Sequence, residues 1–207
     1  MLRDLDALSD ADVRAAYEQA VMWFVGTVVG IDAERWNAPA NDRFSVAELV
    51  GLAAHGCEQL LAYLDVPVAA NTFVGRTGRT RAVFAHPVPT MHRDLVDRAE
   101  DTLRALGPDV PGGVWRLGDR VLHRLAATAD DAPVTTPLGT ARLVDELPSR
   151  VGELTVHTLD LCKAIGPGEP DPPPLPVEVT LSFVLALADP VKAILSLTGR
   201  IGYDVFT

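Results

Sequence analysis

The sequence predicts a mainly α-helical domain, and three features of the 207-residue chain indicate it. Ala, Leu and Val supply most of the apolar residues, whereas aromatic residues make up only 6%, a bias that suits packed helices better than a β-sandwich. Apolar residues recur at spacings of three and four, and capping residues, glycines and prolines bound these stretches. We expect one domain over residues 1–207, with 1–166 as a bundle core and 167–207 as a linker and C-terminal helices.

The first two helices have clear start signals. Ser9-Asp-Ala-Asp12 is a capping sequence that predicts a helix to about Ile31. Ser45-Val-Ala-Glu48 is a full capping box, because Ser and Glu three residues apart satisfy each other's backbone donors, and it predicts a helix from Val46 to about Asp65.

Further periodic stretches predict the remaining helices. We expect them at Thr90–Leu106, Val114 to about Thr128, Arg150–Gly166 with Pro148 near its start, Pro176–Ala188 and Pro190–Leu197. Residues 67–89 read as a long connection and 130–138 as a connector. Long connections between helices are typical of a four-helix bundle with crossovers, in which metal sites form from residues on facing helices.

The composition excludes several classes of function. The formal net charge is −10 and no basic stripe is present, which argues against nucleic-acid binding. No apolar stretch reaches the roughly 20 residues that a membrane span needs, and the N-terminus lacks the pattern of a secretory signal. Cys57 and Cys162 lie far apart and form no CxxC motif. We therefore expect a reduced, cytoplasmic protein.

The predicted helix Arg150–Gly166 places three polar residues on one face. At about 100° per residue, Glu153, His157 and Asp160 share that face. A carboxylate and an imidazole one turn apart are a ready pair of metal ligands that needs a third group from elsewhere. The alternative is a solvated Glu–His pair, since such pairs are common on helices. Asp160 suits either the orientation of a metal ligand or a surface contact.

Two other sets of residues are candidates for a site. His55 lies in the middle of the second helix, where local sequence favours a core histidine with one hydrogen bond. Arg76, Arg79 and Arg81 fall in the long connection. These arginines suit an anion-binding lip over a pocket, and equally a solvated loop.

Three blocks of sequence, in order along the chain, resemble one known family. Arg150, Glu153, Val156-His157, Asp160-Leu161 and Ala164-x-Gly166 are similar to the signature of the N-terminal domains of mycothiol-dependent maleylpyruvate isomerases, within the DinB-like superfamily. Phe44 to His55 resembles that family's W-T-V-x-D-L-x-x-H helix, with Phe44 for the usual Trp and Glu48 for Asp. Leu195 to Arg200 is similar to the closing LxLTGR segment of many actinobacterial members.

The resemblance implies a DinB-like four-helix bundle that holds one divalent metal on His55, Glu153 and His157. Zinc is usual in the family, and nickel or iron suits the same ligands. Three protein ligands leave positions open, as in catalytic zinc sites. In the family, the open position activates the small-molecule thiol mycothiol, so the protein itself supplies no nucleophile. Cys57 and Cys162 point away from the histidine phases, which agrees with that role.

Two functions follow as alternatives from the same three ligands. The first is a metal-dependent thiol enzyme, an isomerase or S-transferase acting on an electrophilic substrate with mycothiol or a similar thiol. The second is a non-catalytic metal- or ligand-binding bundle. The isomerase proper has a further C-terminal domain at its substrate site, so the resemblance leaves the substrate open. Apolar residues at Ile201–Phe206 are compatible with a homodimer and equally with a core role.

Overall fold

A computed structural model describes residues 3–66, 75–85, 92–137, 139–166 and 171–198. These residues are mainly helical, which confirms the predicted fold class. The described elements are helices α1 (Asp10–Val29), α2 (Val46–Asp65), α3 (Arg76–Ala85), α4 (His92–Leu106) and α5 (Val110–Ala126), strands β1 (Pro133–Thr136) and β2 (Gly139–Arg142), and helices α6 (Leu143–Ile165), α7 (Pro174–Leu187) and α8 (Pro190–Leu197). No described helix is both long and apolar enough to cross a membrane.

Four helices enclose the main core. Helix α1 packs against α6, α6 against α2, α2 against α5, and α5 against α1. Helix α4 covers α2 and α5, while α7 covers α1 and α6. The largest buried apolar side chains come from all four central helices and include Tyr17, Phe24, Leu49, Leu125 and Leu161. Helix α2, which contains position 55, thus packs directly against α6, which contains positions 153 and 157.

The capping signals form as the sequence predicts. Ser9 accepts a hydrogen bond from the backbone N–H of Asp12 at the start of α1. Ser45 and Glu48 form the complete capping box at the start of α2. These side chains satisfy backbone groups that have no partner inside the helix, so both starts agree with their predicted positions.

Helix α5 begins earlier than predicted, at Val110 rather than Val114. Asp109 caps it by accepting from the backbone N–H of Gly112, and Pro111 occupies the first turn, where its missing N–H has no cost. A Cβ atom at Gly113 would lie 2.5 Å from the carbonyl oxygen of Leu106. Gly113 therefore lies inside α5, where it allows this helix to pack closely against the end of α4.

The connection before α6 contains a β-hairpin that the helical periodicity did not predict. Strands β1 and β2 pair antiparallel, with Val134 opposite Ala141 and Thr135 opposite Thr140. Val134 and Ala141 are fully buried, and the two threonine hydroxyls are hydrogen bonded at 3.0 Å. The hairpin leads directly into α6, which starts at Leu143 and so contains Pro148 in its interior rather than near its start.

Candidate functional site

The three predicted ligands lie on two helices that pack against each other, α2 and α6. His55 is half-buried on α2, Glu153 is exposed on α6, and His157 is half-buried one turn further along α6. A Cβ atom at Gly56 would lie 3.5 Å from Oε2 of Glu153. The residue next to His55 thus lacks a side chain at the place where the Glu153 carboxylate approaches α2.

His55 is bound to the neighbouring helix α4. Its Nδ1 lies 3.3 Å from the hydroxyl oxygen of Thr102, and the same hydroxyl donates to Oε2 of Glu58 at 3.2 Å. Burial lowers the pKa of His55, while the carboxylates of Glu58 and Glu153 partly oppose that shift. A neutral imidazole is the form that binds a metal ion.

His157 has an unsatisfied ring nitrogen. Its Nδ1 is buried and has no hydrogen-bond partner among the described residues. Burial lowers the pKa of His157, and the charges of Glu153 and Asp160 act in the opposite direction. A buried nitrogen without a partner costs free energy, so it marks a place where a bound group would supply the missing interaction.

The guanidinium of Arg150 is hydrogen bonded to the carboxylate of Glu153. Its Nη1 donates to Oε2 of Glu153 at 3.0 Å and to Oε1 of Gln59 at 3.2 Å. Its Nε and Nη2 both donate to Oε1 of Glu146, and its guanidinium stacks on the ring of Tyr63 at 5.4 Å. Burial lowers the pKa of Arg150, but the carboxylates of Glu146 and Glu153 outweigh it and raise the value.

The three predicted ligands do not form a finished metal site. Within the described ranges, no three His, Cys, Asp or Glu side chains are arranged to hold a metal ion. Glu153 is paired with Arg150 instead, and its side chain is 40% exposed. Glu153 does lie close enough to both histidines to influence their charge. Metal binding by this set therefore requires Glu153 to exchange Arg150 for the ion.

Asp160 makes a contact with the loop that precedes α2. Its Oδ2 accepts a hydrogen bond of 2.9 Å from Nδ2 of Asn41. It also acts on the charge of His157, one turn before it on α6. The surface contact is one of the two alternatives that the sequence left open for Asp160, and its role in orienting a metal ligand stays a prediction.

The arginines of the predicted connection are placed differently from an exposed lip. Arg76 and Arg79 lie in helix α3 and are buried, with 4% and 2% of their surface exposed. Arg76 binds the carboxylate of Asp10 at the start of α1. Arg79 donates to Oε2 of Glu146 at 2.7 Å. The expectation of a solvent-facing lip is therefore wrong for these two residues, whose charges are used to attach α3 to the helices beneath it.

Arg81 is the exposed member of the predicted arginine set. It lies on α3, and its Nε donates to the carbonyl oxygen of Ala186 at the end of α7 at 3.5 Å. A bond of that length at an exposed position is weak. The role of Arg81 in binding an anion stays a prediction.

A small cavity lies beside Glu153, between α1, α2 and α6. Its volume is about 10 Å³, close to the space that one water molecule needs, and Tyr17, Cys57, Arg150 and Glu153 contribute to its walls. The hydroxyl of Tyr17 donates to the sulfur of Cys57 at 3.8 Å. Burial raises the pKa of Cys57 to about 12. Cys57 is therefore a neutral thiol, and a poor nucleophile, at physiological pH.

Sequence reasoning missed three polar side chains around the candidate ligands. Arg150 was part of the family-like signature, and its position three residues before Glu153 on one helix is a weak signal for their bond. Glu58 follows His55 by one turn of α2, and that spacing is a weak signal for a shared partner. Thr102 comes from α4, so only the packing of α4 on α2 reveals it.

Comparisons of this chain with protein-family models, with curated proteins and with solved structures found no match. The functional inference therefore depends on the side chains of α2, α4 and α6 and on the chemistry that they allow.

Proposed function

We propose that the protein is a metal-dependent thiol enzyme in which His55, Glu153 and His157 hold one divalent metal ion. The single observation that carries the proposal is the position of Glu153, whose carboxylate approaches α2 at Gly56, next to His55, and lies one turn before His157 on α6. Burial keeps both imidazoles in the neutral, ligating form. The donor set of two imidazoles and one carboxylate fits zinc, with nickel and iron as the next choices.

The unsatisfied Nδ1 of His157 supports the fit between these residues and a metal. Native proteins rarely leave a buried nitrogen without a partner. The exposed carboxylate of Glu153 is able to move without disturbing the core, because Arg150 keeps its bonds to Glu146 and Gln59 when Glu153 leaves. When bound there, the metal supplies a Lewis acid that favours the ionisation of a coordinated thiol.

The chain's own residues contribute charge and shape around that position. Arg150 lies within hydrogen-bonding distance of Glu153 and lines the adjacent cavity. A guanidinium there attracts an anionic thiol or an acidic substrate once Glu153 has turned away. Since the buried thiol of Cys57 is a poor nucleophile, the reacting thiol in this proposal is a small molecule of the mycothiol type, and its partner is an electrophile.

A DinB-like four-helix bundle is the architecture that we propose for the core. The cyclic packing of α1, α6, α2 and α5 supports it, as do the long connections that hold α3, α4 and the hairpin. Bundles of this kind form metal sites from side chains on facing helices. The positions of His55 on α2 and of Glu153 and His157 on α6 agree with that rule.

Metal analysis of the untagged protein tests the proposal. We expect about one equivalent of a divalent metal per chain, with loss of tight binding in His55→Ala and His157→Ala. His123→Ala is the matched control, because His123 is a histidine on α5 with 80% of its side chain exposed. A protein that binds no divalent metal tightly, or that loses it equally in the control, contradicts the proposal.

The thiol step needs a separate measurement. Cobalt-loaded protein is mixed with mycothiol or a cysteine-based analogue, and the visible spectrum is followed for thiolate coordination. Consumption of a quinone or an unsaturated acid is then measured with and without the thiol. We expect a spectral change and a thiol-dependent reaction that are both absent from the His157→Ala variant.

A non-catalytic metal- or ligand-binding bundle is the second candidate. The small volume of the cavity beside Glu153 favours it, since about 10 Å³ is far less than a typical site for a drug-sized ligand. This function predicts the same metal stoichiometry and the same loss in the histidine variants. Cobalt-loaded protein whose spectrum ignores every added thiol would favour this candidate over the enzyme.

A further inference from the structure

A chain of three polar side chains connects His55 to α4 and back to α2. Nδ1 of His55 lies 3.3 Å from the hydroxyl of Thr102, and that hydroxyl donates to Oε2 of Glu58 at 3.2 Å. Thr102 is almost fully buried, with 3% of its surface exposed. The hydroxyl is therefore shielded from water and has two protein partners.

The number of protons available in this set of hydrogen bonds determines which ring nitrogen of His55 is protonated. A hydroxyl has one proton and can donate only once. Because the carboxylate of Glu58 takes that proton, the hydroxyl oxygen of Thr102 faces His55 as an acceptor. A neutral imidazole satisfies it by donating from Nδ1, which leaves the lone pair on Nε2.

We infer that Thr102 and Glu58 are positioning residues that hold the proton of His55 on Nδ1 and so present Nε2 to a ligand. Partners of this kind fix both the tautomer and the orientation of a ligating imidazole. That the ligand is a metal ion rests on the proposed function. The tautomer itself is a property of the metal-free chain and depends only on the hydrogen bonds of Thr102.

The close approach of α2 and α4 makes this arrangement possible. A Cβ atom at Gly51 would lie 2.5 Å from the carbonyl oxygen of Ala99, so the two backbones are nearly in contact there. Gly51 lies one turn before His55 on α2, and Ala99 lies one turn before Thr102 on α4. Glycine at position 51 therefore lets the hydroxyl of Thr102 reach the imidazole.

The test uses long-range ¹H–¹⁵N correlation spectra of the metal-free, full-length protein at a pH where His55 is neutral. The signals of His55 are assigned by their absence from His55→Gln. We expect a protonated Nδ1 and an unprotonated Nε2 in the parent protein. Thr102→Ser keeps the hydroxyl and should keep this pattern, whereas Thr102→Val removes the acceptor and should move the proton towards Nε2.

Glu58→Ala leaves the hydroxyl of Thr102 in place and removes the carboxylate that accepts its proton. Without the carboxylate, the hydroxyl of Thr102 is able to donate to Nδ1, so the proton of His55 should move to Nε2. Thr180→Val is the matched control, since Thr180 is a buried threonine on α7. It should leave the His55 signals unchanged.

Metal affinity provides the second measurement. Loss of a residue that hydrogen bonds to a metal ligand typically lowers metal affinity about 10–100-fold. Thr102→Val and Glu58→Ala should therefore weaken zinc binding by that factor. Thr102→Ser and Thr180→Val should leave it unchanged. A parent spectrum with protonated Nε2, or one that Thr102→Val and Glu58→Ala leave unchanged, overturns the inference. If the tautomer shifts as expected but the parent protein binds no metal, the positioning role stands and the proposed function fails.

Discussion

Arg150 and Glu153 are hydrogen bonded to each other, with 3.0 Å between Nη1 and Oε2, on the surface of α6 that faces α2. This bond makes the arginine a competitor for the carboxylate that the proposed site requires. Arg150 is held in place independently by Glu146 and Gln59. Glu153 must therefore exchange this partly exposed ion pair for the ion if the proposed site is to form.

Glu153→Gln should separate metal binding from stability. The amide keeps the hydrogen bond from Arg150 but is a poor metal ligand. Removing a residue that only hydrogen bonds to a metal ligand typically lowers metal affinity about 10–100-fold, and we expect zinc affinity to fall by more than that here. Because Glu153 is partly exposed, the free energy of unfolding should change by less than about 1 kcal/mol. Competition with a chromophoric chelator and chemical denaturation measure the two effects.

The control for Glu153→Gln is Glu100→Gln, since Glu100 is an exposed glutamate on α4. It should alter neither zinc affinity nor stability. Unchanged zinc affinity in Glu153→Gln would remove this residue from the proposed site.

Glu146→Ala should strongly destabilise the fold. Glu146 is fully buried and binds both Arg79, at 2.7 Å, and Arg150, at 3.0 Å. Removing one partner of a buried ion pair leaves an uncompensated charge and typically costs about 3–5 kcal/mol. Denaturant titration measures the loss of unfolding free energy.

An exposed ion pair provides the comparison for Glu146. Asp101 pairs with Arg104 on α4, and both side chains are more than 70% exposed (73% and 71%). Asp101→Ala should leave stability almost unchanged, because solvent screens such pairs. Equal effects of the two substitutions would mean that the network around Glu146 contributes no more than a surface pair.

Cys57 should be inert towards thiol reagents in the folded protein. It is 4% exposed, and burial raises its pKa to about 12, so almost no thiolate exists at pH 8. In a Cys162→Ser background, we expect little release of chromophore from a disulfide reagent until the chain is unfolded in guanidinium. The native rate should rise steadily as pH increases above 9, because thiolate forms only as pH approaches that pKa.

Rapid labelling of native Cys57 near neutral pH would contradict this expectation. It would also make the protein's own thiol a candidate nucleophile, in conflict with the proposed use of a small-molecule thiol.

Gly51→Ala should destabilise the packing of α4 on α2. The added methyl group would lie 2.5 Å from the backbone oxygen of Ala99, and overpacking of this kind costs about 1–3 kcal/mol. Gly26→Ala on α1 is the matched control, because nothing lies within 4 Å of the added atom. Alanine has the higher helix propensity, so that control should raise stability by up to about 1 kcal/mol. Thermal or denaturant unfolding of the two variants measures these changes in stability. A Gly51→Ala variant more stable than the parent protein would contradict the close approach of α2 to α4.

The local features of the fold were predictable from the sequence. The capping box of Ser45 and Glu48 depends on residues three apart, so it can be recognised without knowledge of the rest of the chain. The shared face of Glu153, His157 and Asp160 follows in the same way from the helical repeat. The apolar periodicity likewise predicted α1, α2, α4, α7 and α8 to within a few residues.

Features that depend on distant partners were not predictable. The sequence predicts a loop at the position of α3, because its arginines and glycines lack an apolar stripe. In the structure, Arg79 of this helix is bonded to Glu146, 67 residues away in the chain. The sequence predicts only a connector at the position of the hairpin before α6, because strands of four residues are too short to show a clear alternating pattern.

The sequence by itself determined the helical fold class, the ends of the capped helices and the spacing of the candidate ligands on α6. Only the tertiary structure decided that Arg150 is bonded to Gln59 of α2, that Arg76 and Arg79 of α3 are buried, and that Thr102 meets His55. The physical reason is the distance along the chain between the residues that interact. Helical repeats and caps arise from residues within one or two turns, whereas the partner of a buried charge or imidazole is selected by the packing of helices that are distant in the chain.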